Sequence, residues 1–229
     1  MLGAAGFPVM IRWEARAKSP ILDIGLFRGN RAFTFSNLAA LINYSATYAV
    51  TFLLSLYLQY LKGLNAEQAG LLLVSQPIFQ AVFSPVTGRL SDRSESRKVA
   101  SLGMAATIVG LFPFVFMDEG TTWVYITVGL ALLGFGLAMF VSPNTNAIMS
   151  SVERRFYGVA SATLGTMRLI GQMLSMGITM VIFETYIGRV EITPAVYPML
   201  LTSIKTAFVV FSILCACGVF APLVRGKAP

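Results

Sequence analysis

The chain has 229 residues, of which 56% are hydrophobic and only 12% charged, and its formal net charge is +7. Soluble domains carry about 25% charged residues, so this deficit, with a mean hydropathy of +0.74, reads as an all-α integral membrane protein. The absence of histidine excludes His-ligated metal sites, histidine general bases and HExxH zinc chemistry, and the positive charges fall between apolar segments rather than on the single basic face that nucleic-acid binding needs.

Residues 2–11, "LGAAGFPVMI", are apolar but too few to span a bilayer, which takes about 20 residues in a helix. Positive charge follows this run, whereas a signal peptide places it before. Residues 1–31 therefore read as the end of a truncated preceding helix plus a basic cytoplasmic linker. Residues 32–224 read as six transmembrane helices, at approximately 32–61, 67–90, 97–117, 121–147, 155–184 and 198–222, with 225–229 as a cytoplasmic tail. Internal prolines at Pro77, Pro113 and Pro143 predict kinks of the kind that neighbouring helices accommodate in a membrane bundle.

The first predicted helix carries Asn43, Tyr44, Thr47, Tyr48 and Thr51 on roughly one face, and the second carries Gln76 and Gln80. Aromatic and amide side chains hold flat organic cations by cation–π contact and hydrogen bonding, so these are substrate-cavity candidates. Interhelical hydrogen bonding is the competing reading for each of them. Between the second and third helices the sequence stops for "GRLSDRSESRKVA", residues 88–100, a short charged loop. The fourth holds "GLALLGFG", 129–136, whose glycines read as helix packing because no strand precedes them.

Arg168 lies near the middle of the fifth helix. A central charge costs on the order of 3 kcal/mol to insert, and such residues face a cavity or a partner. Ser161, Gly165, Arg168, Gln172, Ser175 and Thr179 recur at helical spacing. They form a small, polar stripe that predicts both close helix approach and a cavity wall; the alternative is that Arg168 only fixes packing. Glu184 and Lys205 fall near the outer ends of the fifth and sixth helices, as a possible ion pair or proton-coupling site, or as side chains snorkelling to the interface. Cys215 and Cys217 are two apart on a helix, do not face each other, and read as packing residues.

Counting Lys and Arg by side sets the orientation. One side holds Arg12, Arg16, Lys18, Arg28, Arg31, Arg89, Arg93, Arg97, Lys98, Arg154, Arg155, Arg225 and Lys227, and the other only Lys62 and Arg189. Thirteen against two is a positive-inside bias that predicts both termini in the cytoplasm.

The charged loop "GRLSDRSESRK" resembles the loop motif of the major facilitator superfamily: Gly, apolar, Asp, Arg, then a basic pair. "SPILDIGLFRGNRAF" (19–33), "YLQYLKGLNAEQAGLLL" (57–73) and "SPNTNAIMSSVERRFYGVASATLGTMRLIGQ" (142–172) are similar to the fourteen-helix drug:proton antiporters of that superfamily. The resemblance covers nearly the whole chain and places it as the C-terminal six-helix half, one half-bundle with both termini inside. It implies that Gly88, Asp92 and Arg93 take part in a latch closing the cytoplasmic side, with Arg97 and Lys98 as orientation charges. One departure stands out: the family's glycine three residues after the aspartate is Glu95 here. A left-handed backbone is costly for a non-glycine, which predicts a looser turn.

The function so implied is the C-terminal half of a proton-coupled multidrug efflux transporter, exporting amphipathic, often cationic compounds by alternating access. It needs no cofactor beyond the proton gradient. Its partners are the missing N-terminal half or a second copy, the small amphipathic substrate and the lipid bilayer of a prokaryotic cytoplasmic membrane, with no nucleic acid. Facilitator halves are three-plus-three inverted repeats with the substrate site between halves, so one half alone is not expected to transport. The alternatives are a half-size transporter acting as a homodimer and a non-transport scaffold or regulatory fragment. No nucleophile–base pair, metal cluster or nucleotide loop points to an enzyme.

Overall fold

The computed structural model describes residues 29–188 and 190–219, with Asp92 described in its backbone only. The expectations for residues 1–28, for Arg189 and for the tail at 225–229 lie outside the described residues.

Asn30 opens the first helix. Its Oδ1 accepts from the Phe33 amide at 3.0 Å, taking up one of the donors that a helix start leaves unpaired. Six helices follow that are long and apolar enough to cross a membrane: α1 (Arg31–Leu61), α2 (Ala66–Ser91), α3 (Ser96–Val115), α4 (Trp123–Ser150), α5 (Arg154–Tyr186) and α6 (Pro194–Gly218). Among the described residues every regular element is helical. Three of the other starts also have a local cause. Asn65 and Gln68 form a reciprocal capping box before α2. Thr122 accepts from the Tyr125 amide before α4, and Pro194 occupies the first turn of α6, where its missing N–H costs nothing.

Two helices are interrupted. In α1 the regular helix stops at Thr47 and resumes at Val50. There the Ala49 amide donates to the Ser175 hydroxyl of α5 at 3.0 Å; a side chain inserted into the ladder is a recognised cause of a bend. The same span ends in a π turn, Tyr57–Leu61. In α2 the helix breaks at Val74. Pro77, three residues later, has no N–H for the Leu73 carbonyl, so the ladder lapses there. Pro113 and Pro143 lie inside α3 and α4, and Pro85 lies inside α2.

The packing exchanges two triplets. α1 packs on α5 and α6, while α4 packs on α2 and α3; α1 meets α4, and α3 meets α6. This is the arrangement that a three-plus-three repeat produces. In lipid the hydrophobic effect does not drive helices together, so close van der Waals fit and polar contacts must. α4 shows both. A Cβ added to Gly136 would lie 2.5 Å from the Thr107 backbone nitrogen of α3, and one added to Gly134 would collide with the Gln76 carbonyl of α2. Only glycine lets α4 approach both neighbours so closely. Asn144 Nδ2 donates to the Ser36 carbonyl of α1 at 3.0 Å, and Thr87 Oγ1 to the Ala138 carbonyl at 2.9 Å. Phe114 and Phe208 meet at 5.1 Å between ring centroids where α3 crosses α6.

Burial is uneven. In the most apolar stretch of α1, 56% of residues are buried, against 6% in α2 and 17% in α5. The outward faces of α2 and α5 carry Leu71, Val82, Met173 and Val181 in the open. An apolar surface of this extent marks lipid or a partner.

Candidate functional site: a one-sided cavity among four helices

The long face of α1 builds the site. Tyr44, Thr47, Tyr48, Thr51, Phe52 and Ser55 follow one another at spacings of three, one, three, one and three, which keeps them on one side of the helix across its break at Tyr48–Ala49. Opposite them α2 supplies Leu73, Gln76 and Gln80. α4 closes the floor with Leu137 and Val141, and α5 adds Gln172 and Met176. These side chains enclose a cavity of about 660 Å³, open on one side. It runs from the middle of α1 toward the end bearing Lys62, Asp118 and Glu119. Its size falls within the ordinary range for small-molecule sites, about 300–1,000 Å³.

The chemistry of the wall is mixed. Apolar surface comes from Phe52, Leu73, Leu137, Val141 and Met176. Thr47 Oγ1 donates to the Asn43 carbonyl at 2.8 Å, and Ser55 Oγ accepts from Gln59 at 2.7 Å, so these hydroxyls are already engaged. The amides of Gln76, Gln80 and Gln172 make no hydrogen bond within the described residues. An amide offers two donors and an acceptor with two lone pairs, so this wall holds uncommitted polar capacity beside an apolar floor. Tyr48 is 48% exposed and presents a ring.

Arg168 adjoins the cavity through Tyr44 and Gln172. It is exposed, and its guanidinium carbon lies 5.1 Å from the centroid of the Tyr44 ring, within cation–π range. None of the residues lining the cavity is acidic.

Of the sequence candidates, Tyr44, Tyr48, Gln76, Gln80 and Gln172 share this cavity, and Arg168 stands at its edge. Asn43 does not. It is fully buried, away from the lining, and neither atom of its amide has a partner among the described residues. The α5 stripe also divides. Gln172 faces the cavity, but Ser175 and Thr179 are buried, and Ser175 accepts the Ala49 amide of α1. Among the described residues no ion pair joins Glu184 and Lys205; Glu184 is exposed near the end of α5. Phe52 and Ser55 were missed, although they continue the α1 spacing. Leu137, Val141 and Met176 carry no polar signal that could have marked them.

At the opposite, basic end the charged loop is ordered differently from the expectation. Glu95 precedes α3 with φ −63° and ψ 110°, so the turn needs no left-handed residue and glycine is not missed. Its carboxylate accepts from Arg97 at 2.8 Å and lies 3.5 Å from Lys98, which makes those two residues local ion-pair partners as well as basic charges. The Arg97 hydrogen bond, ahead of the charges of Arg97 and Lys98, holds the Glu95 carboxyl below the usual glutamate range. Gly88 sits where an added Cβ would lie 3.3 Å from Ser142 Oγ of α4. Arg93 is exposed in the last turn of its helix, with no ion pair among the described residues. The Asp92 side chain lies outside the described residues.

Residues 37–229 match the family profile described as Major Facilitator Superfamily. The chain belongs to the major facilitator superfamily, a family of membrane transporters. It is similar to the riboflavin transporter RibZ of Clostridioides difficile (strain 630), 28% identical over 155 residues, or 68% of this chain and 34% of that protein. It is similar to the multidrug resistance protein Stp of Mycobacterium tuberculosis, 26% identical over 175 residues, 76% of this chain and 32% of that protein. The lincomycin resistance protein LmrB of Listeria monocytogenes is 25% identical over 235 residues, 100% of this chain and 50% of that protein. The chain thus spans between about a third and a half of the length of these curated relatives.

Proposed function

We infer that the chain is one six-helix half of a proton-driven transporter of the bacterial cytoplasmic membrane, which exports amphipathic small molecules by alternating access and does not transport alone. The observation that carries this is the cavity of about 660 Å³, walled by α1, α2, α4 and α5 and, among the described residues, left open on its other side. A site that must bury most of a small ligand needs a second wall, and the exposed faces of α2 and α5 beside the opening are where one would seat. The relatives named for multidrug and lincomycin resistance support export of foreign compounds.

The charges support the orientation. Arg31, Arg89, Arg93, Arg97, Lys98, Arg154 and Arg155 gather at the end where α1 begins, while Asp118, Glu119 and Glu191 lie at the other. The positive-inside rule puts the first end in the cytoplasm. Coupling to protons needs a carboxylate near the substrate, and this wall supplies none; the coupling carboxylates then belong to the other wall.

The test is efflux of a fluorescent substrate from proteoliposomes holding this polypeptide alone, and from others where it is co-assembled with the complementary N-terminal part of such a transporter. No efflux above empty liposomes is expected in the first and proton-dependent efflux in the second. Efflux by the chain alone would establish a self-sufficient half-size transporter, and the inference would fail.

A further inference from the structure

Arg168 occupies the place where an incoming cation would otherwise find the face of Tyr44. With the guanidinium 5.1 Å from the ring centroid, that aromatic face is already engaged by the protein's own cation, and a second cation there would meet a like charge. Among the described residues no acidic side chain lies beside it. The acidic side chains that the structure describes, Glu67, Glu95, Asp118, Glu119, Glu153, Glu184 and Glu191, all lie at helix ends or in connections. Glu184, on the same helix, is sixteen residues on, roughly 24 Å along the axis. Arg168 borders the cavity through Tyr44 and Gln172, so a ligand seated against them lies within reach of its positive charge. The remaining wall offers the open ring of Tyr48 and the uncommitted amides of Gln76, Gln80 and Gln172, which are neutral.

We propose that this wall, resting on its reading as a transport site, selects flat aromatic ligands that carry an anionic group and disfavours cationic ones. Arg168 provides the charge complement, Tyr44 holds it in place, Tyr48 provides a stacking face, and the three glutamines bind polar edges of the ring. This reverses the expectation, drawn from aromatic and amide side chains, that the site holds flat organic cations.

The test uses the whole transporter that contains this chain, in lipid nanodiscs, with acridine-9-carboxylate and 9-aminoacridine as probes. They share one ring system and carry opposite charges at neutral pH, and fluorescence anisotropy reads the binding of each. The carboxylate is expected to bind at least about tenfold tighter, a factor worth 1.4 kcal/mol. Arg168→Gln should erase that preference, and Arg168→Lys, which keeps the charge and controls for folding, should retain it. Equal or tighter binding of the cation, or a preference that survives Arg168→Gln, overturns the proposal while leaving the cavity a binding site. Failure of both probes to bind saturably overturns the proposal together with the transport-site reading.

Discussion

The Ser175 hydroxyl receives the Ala49 amide at 3.0 Å, at the point where α1 leaves its own hydrogen-bond ladder. A buried N–H left without a partner costs about 1–3 kcal/mol. Ser175→Ala should therefore lower unfolding stability by that order, whereas Ser161→Ala, at an exposed position of the same stripe, should change it little; equal effects in a denaturant titration would refute the assignment. The sequence placed both serines on one face of α5. It could not say that the upper part of that face meets α1 and only Gln172 meets the cavity, because periodicity fixes a face and not its neighbour. Asn43 failed for the same reason, since its position in the α1 pattern did not reveal that it turns inward. Glu95 offers a pH test. With its carboxyl held below the usual range by Arg97, the pair contributes above the unfolded pKa and is lost as pH falls through the folded one. A ¹³C titration should place Glu95 below an ordinary glutamate, and Arg97→Gln should raise it; identical titrations in the two proteins would contradict the pairing.

α4 is the element on which the half-bundle is assembled, since it touches α1, α2 and α3. Its glycines were legible as packing positions in "GLALLGFG", and the structure adds which helix each one meets. A side chain at Gly136 would collide with the Thr107 backbone at 2.5 Å, while one at Gly165 of α5 would meet nothing within 4 Å. Overpacking costs typically 1–3 kcal/mol, so Gly136→Leu should destabilise by at least that much or displace α3. Gly165→Ala should be neutral or stabilise by roughly 0.5–1 kcal/mol through helix propensity. Thermal unfolding in detergent decides between them, and a Gly136→Leu protein as stable as the parent would mean that the α3–α4 contact is not close. Proline was less legible. Pro77 announced a break in α2, yet the break falls at Val74, because the residue that loses its partner lies four positions before the proline.

At the scale of the molecule, the six-helix class followed from composition and from the length of the uncharged runs, and the resemblance in four motifs indicated the superfamily that the family match establishes. The cavity was half legible. Its polar residues showed themselves against an apolar background, but its floor of Leu137, Val141 and Met176 looked like any other membrane-helix sequence. Thr87 and Gly88 hold α2 against α4 toward the basic end, and the cavity, with its open side, lies toward the other. If that opening is an aqueous pathway, its two sides on α5 must differ. Gln172 faces the cavity, whereas its neighbour Met173, 74% exposed, lies in an apolar groove with Leu174 and Ile178. The most direct measurement places single cysteines at these two positions, in a Cys217→Ser background that removes the exposed native thiol. The whole transporter in membranes is then treated with a charged methanethiosulfonate. Gln172→Cys is expected to react readily and Met173→Cys not, despite its greater exposure, because only water ionises a thiol and admits the reagent. Equal labelling, or labelling of Met173→Cys alone, would contradict the account of this chain as one wall of a transport cavity.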